Sequence, residues 1–206
     1  MSITLSINGQ QVEAPDGASV LDAINGSGTY ISQLCKDADM TPIGACRTCL
    51  VQIDGQRGFP ASCSLPATEG MKVWTDSPEV KGIRKGVVEL TLGMLPRNGA
   101  DGYRELSVAA KHHDVSKPRW NGREREPVDT SNPIFNIAMD SCILCGRCAK
   151  GCQEGAQFIG AIDVLGSGQS SRIGTFMDRP LVESICTTCG QCLSVCPTGA
   201  IQVKET

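Results

Sequence analysis

Twelve cysteines are the residues in this sequence best equipped for chemistry, and their spacing sorts them into three groups of four. Two blocks share the pattern C-x2-C-x2-C-x3-C: Cys142-Ile-Leu-Cys145-Gly-Arg-Cys148-Ala-Lys-Gly-Cys152, and Cys186-Thr-Thr-Cys189-Gly-Gln-Cys192-Leu-Ser-Val-Cys196-Pro197. In that spacing three thiolates wrap one [4Fe–4S] cubane on a tight loop, while the fourth reaches the other cubane. The expected ligand sets therefore cross. Cys142, Cys145, Cys148 and Cys196 hold one [4Fe–4S] cluster, and Cys186, Cys189, Cys192 and Cys152 hold the other. The fourth cysteine of each block is expected to start a helix pointing the other way. Gly146 and Gly190 are expected to let the loop backbone come close to the sulfurs. Gln153 stands where the pattern has proline, a tolerable departure.

The remaining four are Cys35-x10-Cys46-x2-Cys49-x13-Cys63. Three lie in or near one loop and one is remote, the logic of a plant-type [2Fe–2S] site, with the usual four-residue first gap lengthened to ten. Gly44 and Ala45 are small enough for amides to point at the sulfurs, and Arg47 would offset cluster charge. Zinc is the rival metal. It favours paired C-x2-C units without the third cysteine three residues further on that each block carries, and Cys35 and Cys63 have no near neighbour cysteine.

Other chemistries find little support. There is no P-loop, and Gly166-Ser-Gly168 is too short for a dinucleotide fingerprint. The two histidines, His112 and His113, fall in a polar stretch and read as solvated linker residues. The formal charge of −3 counts every cysteine as a neutral thiol; three clusters at about −2 each would bring it to about −9. That argues against nucleic acid, whose binding needs clustered Lys and Arg, and suits a partner with a basic docking face. With no long apolar run and no secretory leader at the start, a cytoplasmic location is expected, where thiols stay reduced and serve metals rather than disulfides.

The elements that must position these cysteines give an α+β chain in three parts. Residues 1–76 read as a plant-type [2Fe–2S] β-grasp domain. Ile3, Leu5 and Ile7 alternate with polar residues, Asn8-Gly9 turns a hairpin, 19–24 form a short helix, and 48–53 and 72–75 are further strands. Residues 77–136 read as a helix followed by a linker. The helix runs over 77–95 from an N-cap at Ser77, with Val80, Ile83, Val87, Leu90 and Met94 as its apolar stripe and Pro96 as its end. The linker is polar from 96 to 136, barest of apolar residues at Lys117–Pro127. Residues 137–206 read as a bacterial-type 2×[4Fe–4S] ferredoxin domain, with an irregular insert of short strands or a helix turn between Cys152 and Cys186.

The Gly44-Ala45-Cys46-Arg47-Thr48-Cys49 loop with Cys35 and Cys63, followed by Cys-Ile-Leu-Cys-Gly-Arg-Cys, resembles the iron–sulfur region of NAD-linked molybdenum or tungsten formate dehydrogenases. It also resembles the diaphorase subunit of NAD-reducing hydrogenases, the N-terminal region of [FeFe] hydrogenases and the large peripheral-arm subunit of respiratory NADH dehydrogenase. The formate dehydrogenase likeness looks closest in Gln153-Glu154, Ile159-Gly160, Ser170-Ser171-Arg172-Ile173 and Cys196-Pro197-Thr198-Gly199-Ala200. The resemblance implies a non-catalytic electron-transfer subunit between a flavin/NAD(P) subunit and a catalytic metal subunit, of a formate dehydrogenase first and of a hydrogenase as alternative, with a free low-potential ferredoxin as the further alternative. Those families often carry one more [4Fe–4S] cluster on one His and three Cys between the lobes. The matching stretch here, Leu95–Leu106, keeps Pro96, Gly102 and Glu105-Leu106 but none of the ligands, so that cluster is expected to be lost and its segment kept as scaffold. The gap it leaves would have to be closed by the linker folding the lobes together or by a partner's cluster. The catalytic site is expected on another chain or on a continuation of this one.

Overall fold

The structure of the chain is a computed structural model that describes residues 1–95, 103–119, 129–155 and 157–204. Strands β1 (Ser2–Ile7) and β2 (Gln10–Pro15) form an antiparallel hairpin. Its turn residues Asn8 and Gly9 both have positive φ, as a two-residue turn with the twist of its strands requires. Helix α1 (Val20–Gly26) starts at a capping box. The Ser19 hydroxyl accepts the Asp22 N–H at 3.1 Å, and the Asp22 carboxylate accepts the Ser19 N–H at 3.0 Å. Strands β3 (Gln52–Ile53) and β4 (Lys72–Trp74) complete a four-stranded sheet in the order β2-β1-β4-β3, with β1 and β4 parallel. Leu5, Ile7, Leu21, Ile24, Val51 and Val73 fill the core between sheet and helix. The strand expected over 48–53 is shorter because its first residues are occupied elsewhere. Leu50 bridges to Ala61, and the Cys49 carbonyl accepts both the N–H and the hydroxyl of Ser62, at 3.1 and 2.8 Å.

Helix α2 (Pro78–Leu92) begins where expected, with the Ser77 hydroxyl accepting the Val80 N–H, but it ends at Gly93 and turns a different face inward. Its buried line is Val80, Arg84, Val88 and Leu92, one residue every four, while Ile83 and Leu90 are exposed. An arginine in the middle of that line hid it from a reading based on apolar spacing. The polar linker also needs correction. Helix α3 (Arg104–His112) lies within it, burying Leu106, Ala109 and Ala110 on one face against α2. Two alanines and one leucine carry too little hydrophobicity to announce a helix, yet their small volume lets α3 pack closely. The expectations resting on 96–102 and 120–128, Pro96 as terminator and most of the Lys117–Pro127 stretch among them, lie outside the described residues.

In the C-terminal third, β5 (Phe135–Ile137) pairs antiparallel with β8 (Ile201–Val203). Helices α4 (Arg147–Glu154) and α5 (Gln191–Ser194) pack against each other. The expected irregular insert is a hairpin of β6 (Ile162–Leu165) and β7 (Arg172–Thr175). The helices do not start at the fourth cysteine of each block. Cys148 and Cys152 both ride on α4, and Cys196 follows α5. The lobes meet directly. One apolar cluster takes Cys35 and Ile43 from the first lobe, Val88 and Leu106 from the two middle helices, and Ile143 and Cys145 from the last lobe. No helix among the described residues is long and apolar enough to cross a membrane.

Candidate metal centres

The first four cysteines converge from three segments. Cys35 comes from the coil after α1, Cys46 and Cys49 from the loop before β3, and Cys63 from a short 3-10 turn, Ser62–Ser64. Cys35, Cys49 and Cys63 are buried and Cys46 is half-buried. The sulfurs pair. A hydrogen bond with Cys35 pulls the Cys46 thiol down to about 6, and the same bond pushes Cys35 up. Hydrogen bonding with Cys63 pulls Cys49 down to about 7, while Cys63 moves up. Cys46 also acts electrostatically on both Cys49 and Cys63, so one field covers all four. The Cys46 N–H donates to the Cys35 sulfur at 3.4 Å, and the Thr48 hydroxyl lies 3.2 Å from the Cys46 sulfur. Arg47, expected to offset charge, is exposed and sits in the left-handed region at φ 57°.

The other eight cysteines surround two small cavities. Cys142, Cys145, Cys148 and Cys196 line one, and Cys152, Cys186, Cys189 and Cys192 line the other. These are the two crossed groups of the spacing argument. The loops around them are near copies. Leu144 and Thr188 occupy matching positions, both with positive φ (53° and 57°), and each donates its N–H to the sulfur two residues back at 3.4 Å. Neither residue type favours that conformation, so each loop holds strain of the kind that persists at working sites. Gly146 and Gly190 follow at φ 79°. Both line the cavities, and their left-handed turn is one that glycine adopts without strain. Beyond the fourth cysteine of each block, the Ala161 N–H donates to the Cys152 sulfur at 3.1 Å and the Ala200 N–H to the Cys196 sulfur at 3.2 Å.

Burial and crowding raise Cys145, Cys148 and Cys192 above the ordinary thiol range. Burial, then the neighbouring Cys196 and Cys142, pushes Cys145 up to about 12, and burial with Cys186 and Cys152 does the same for Cys192. Cys148 is raised well above the ordinary thiol range, chiefly by burial, with Cys145 and, from the other cavity, Cys192 among its neighbours. Cys142, Cys145, Cys148 and Cys196, all buried around one hollow, would ionise together only with cations among them, and soft thiolates with inward amides fit an iron–sulfur core. Among the described residues no three His, Cys, Asp or Glu side chains gather closely enough to hold a single metal ion; the cysteines ring wider cavities.

Several side chains that sequence reasoning passed over bind the sites into one body. The buried Arg147, between Cys145 and Cys148, donates from Nη1 to both Glu105 carboxylate oxygens at 2.8 and 2.7 Å and from Nη2 to Asp37 at 2.6 Å. Glu154 accepts from the Thr41 backbone N–H at 3.0 Å and pairs with Lys150. His113, read as a solvated linker residue, is buried with its Nε2 3.1 Å from the Ser32 hydroxyl. That hydroxyl already donates to the Thr48 carbonyl at 2.9 Å, so the histidine donates to it, which requires the Nε2–H tautomer in the neutral ring. His112 is exposed and tilts against Tyr30. No short-range sequence pattern links Arg147 to Asp37 or His113 to Ser32, because each pair is joined only by the fold.

Residues 1–78 match the family model for a 2Fe-2S iron-sulfur cluster binding domain, and residues 141–200 match the model for a 4Fe-4S dicluster domain. The NADP-reducing hydrogenase subunit HndD of Solidesulfovibrio fructosivorans is 31% identical over 98% of this chain and 36% of its own length. The mitochondrial NADH dehydrogenase (ubiquinone) iron-sulfur protein 1 of Solanum tuberosum is 30% identical over 98% of this chain and 28% of its own length. The chain thus spans about a quarter to a third of these relatives. Among solved structures, a chain of an NAD+-reducing [NiFe]-hydrogenase in the H2-reduced state superposes with a TM-score of 0.86 at 25% identity, covering 99% of this chain and 88% of that one.

Proposed function

From a chain that joins a 2Fe-2S cluster binding domain to a 4Fe-4S dicluster domain, we infer an electron-transfer subunit of an NAD(P)-linked oxidoreductase complex. It holds one [2Fe–2S] cluster on Cys35, Cys46, Cys49 and Cys63, and two [4Fe–4S] clusters on the crossed sets Cys142, Cys145, Cys148, Cys196 and Cys186, Cys189, Cys192, Cys152. The domains are those of the sequence reading, 1–76, 77–136 and 137–206. When bound, such clusters take up and release one electron at a time. The residues of the chain place them, exclude water from them and aim amides at their sulfurs.

The observation that carries this reading is continuity. Cys35 and Cys145 share one apolar cluster, and Cys142 and Cys148 share the next with Cys152 and Cys192. The three sites therefore form a row with protein packed between neighbours. The Arg147 bridge and the α3 contact supply what the absent His/Cys cluster would otherwise span. We further propose that the first lobe faces a flavin or nucleotide-handling subunit and the last lobe a catalytic metal subunit. Cys189 is exposed, as are the nearby apolar side chains of Val182 and Ile185. We also propose a reducing, cytoplasmic setting, where cysteines at ligand spacing serve metals.

Hydrogen is the proposed terminal substrate, supported by the names of the hydrogenase relatives; formate, carried by the Ser170–Ile173 and Cys196–Ala200 likeness, is the finer alternative. The test is iron and acid-labile sulfide per chain on anaerobically purified protein, with low-temperature EPR after reduction. About ten iron, as 2 + 4 + 4, with one [2Fe–2S] and two interacting [4Fe–4S] signals is the expected outcome. About fourteen iron, or zinc in place of iron, would overturn it. Reduction of the co-purified complex by hydrogen but not formate, or the reverse, decides the substrate.

A further inference from the structure

Arg84 is the one charged side chain on the inward line of α2, and it is 1% exposed. Its Nη2 donates to the Thr75 carbonyl. Among the described residues, its Nε and Nη1 have no hydrogen-bond partner. One helical turn before it on the same face, Val80 packs in the apolar cluster that contains Cys49 and Cys63. A guanidinium does not shed its charge. A buried cation without a paired anion is costly enough that proteins compensate it nearby.

The surroundings narrow the choice of anion. Tyr30, His112 and His113 approach from the coil after α1 and from the end of α3. Burial raises the Tyr30 hydroxyl above its ordinary value and pushes His113 down to about 4, so both are neutral near pH 7. Three groups act electrostatically on Arg84: Asp76, which is exposed and screened by water, Tyr30, which keeps its proton, and Cys49, which is buried. The Thr75 carbonyl that anchors Nη2 is itself fixed, since the Thr75 N–H and hydroxyl bond to both ends of the Asn8 amide at 2.8 and 2.7 Å. The guanidinium is therefore held in place with two faces unspent beside the N-terminal cysteine site.

We propose that Arg84 is the buried counter-cation of the site formed by Cys35, Cys46, Cys49 and Cys63, and that its charge holds up the reduction potential of the [2Fe–2S] cluster there. The inference rests on the cluster assignment above. Four thiolates around that core leave it net negative, and uptake of one electron adds one more unit of negative charge. A fixed positive charge in the low-dielectric interior favours the reduced form over the oxidised one. Arg84 is thus a positioning residue of the electron-transfer reaction: it touches no substrate and sets where along the row an electron rests.

The experiment is a redox titration of the anaerobic full-length holoprotein, following the [2Fe–2S] and [4Fe–4S] EPR signals separately. Arg84→Gln removes the charge but keeps a donor for Thr75. Its reduction equilibrium at the [2Fe–2S] cluster is expected to weaken at least tenfold, which is about 59 mV for a one-electron couple, with the two [4Fe–4S] potentials unmoved as internal controls. Arg84→Lys, which keeps the charge, is expected to stay within threefold of the parent. An intact [2Fe–2S] signal at the parent potential in Arg84→Gln would sink the proposal, as would equal shifts in all three clusters. Should Arg84→Gln fail to hold the cluster, Arg84→Lys decides. Assembly at the parent potential keeps the charge role, and loss of assembly there too makes Arg84 a scaffold only. A parent protein with no [2Fe–2S] signal would instead refute the cluster assignment itself.

Discussion

Single residues carry the sharpest tests. Cys152 follows its own block's loop, yet it lines the cavity of Cys186, Cys189 and Cys192. Cys152→Ser is therefore expected to abolish the EPR signal of that cluster, leaving the signal at Cys142, Cys145 and Cys148 intact; the opposite loss would undo the crossed pairing. Cys49→Ser is expected to remove the [2Fe–2S] signal alone. His113 predicts a pH effect. Burial first, and then Arg84, His112 and Lys85 against the opposing Asp114, lowers its folded pKa to about 4, below the unfolded value of about 6.5. The folded state thus resists a proton that the unfolded chain accepts. Stability is full above about pH 6.5 and falls as pH drops toward 4, by no more than about 1.4 kcal/mol per unit from this group. His113→Gln should flatten that slope in denaturant melts at pH 5 to 7, and an unchanged slope would show that the ring titrates freely. The grouping of the cysteines was legible in the sequence because their spacing repeats along the chain. Arg84, Arg147 and His113 were not, since each depends on a partner or a depth of burial supplied by residues far away in sequence.

Elements divide along the same line. The Asn8-Gly9 turn, the Ser19 and Ser77 caps and the hairpin strands announce themselves through residues that cannot easily sit elsewhere. Helix α3 does not, yet it seats Glu105 beside Arg147, places His113 against Ser32 and receives an added tie from the Glu105 N–H to the Pro197 carbonyl at 3.0 Å. Leu106, fully buried in the cluster that joins the lobes, is the residue to test. Leu106→Ala should cost about 2 to 5 kcal/mol in anaerobic denaturant unfolding; a cost below about 1 kcal/mol would mean that α3 is an ornament on the surface. Helix α4 also ends under constraint. A Cβ at Gly155 would lie 2.2 Å from the Gly151 carbonyl oxygen and 2.8 Å from the Gln191 side chain. Only glycine closes that end onto α5, a requirement the spacing of the cysteines does not reveal.

At the scale of the molecule, the two lobes were legible and their seam was not. The spacing of the cysteines left open how the lobes meet; among the described residues packed side chains and one guanidinium join them. Arg147→Met should leave Asp37 and Glu105 without their shared cation and lower the unfolding free energy by about 1.5 to 3 kcal/mol, the scale of losing hydrogen bonds to a charged group. A cost under about 1 kcal/mol would show that apolar contacts alone hold the seam. The same bridge has a consequence in time. Asp37 and Arg147 are 110 residues apart. At roughly 5–20 residues per second of synthesis, the first lobe waits about 5–20 s for the arginine that covers its flank. During that interval the Cys46 loop is bare on the side where Ile143 and Cys145 later pack. Completion of the last lobe then covers that side.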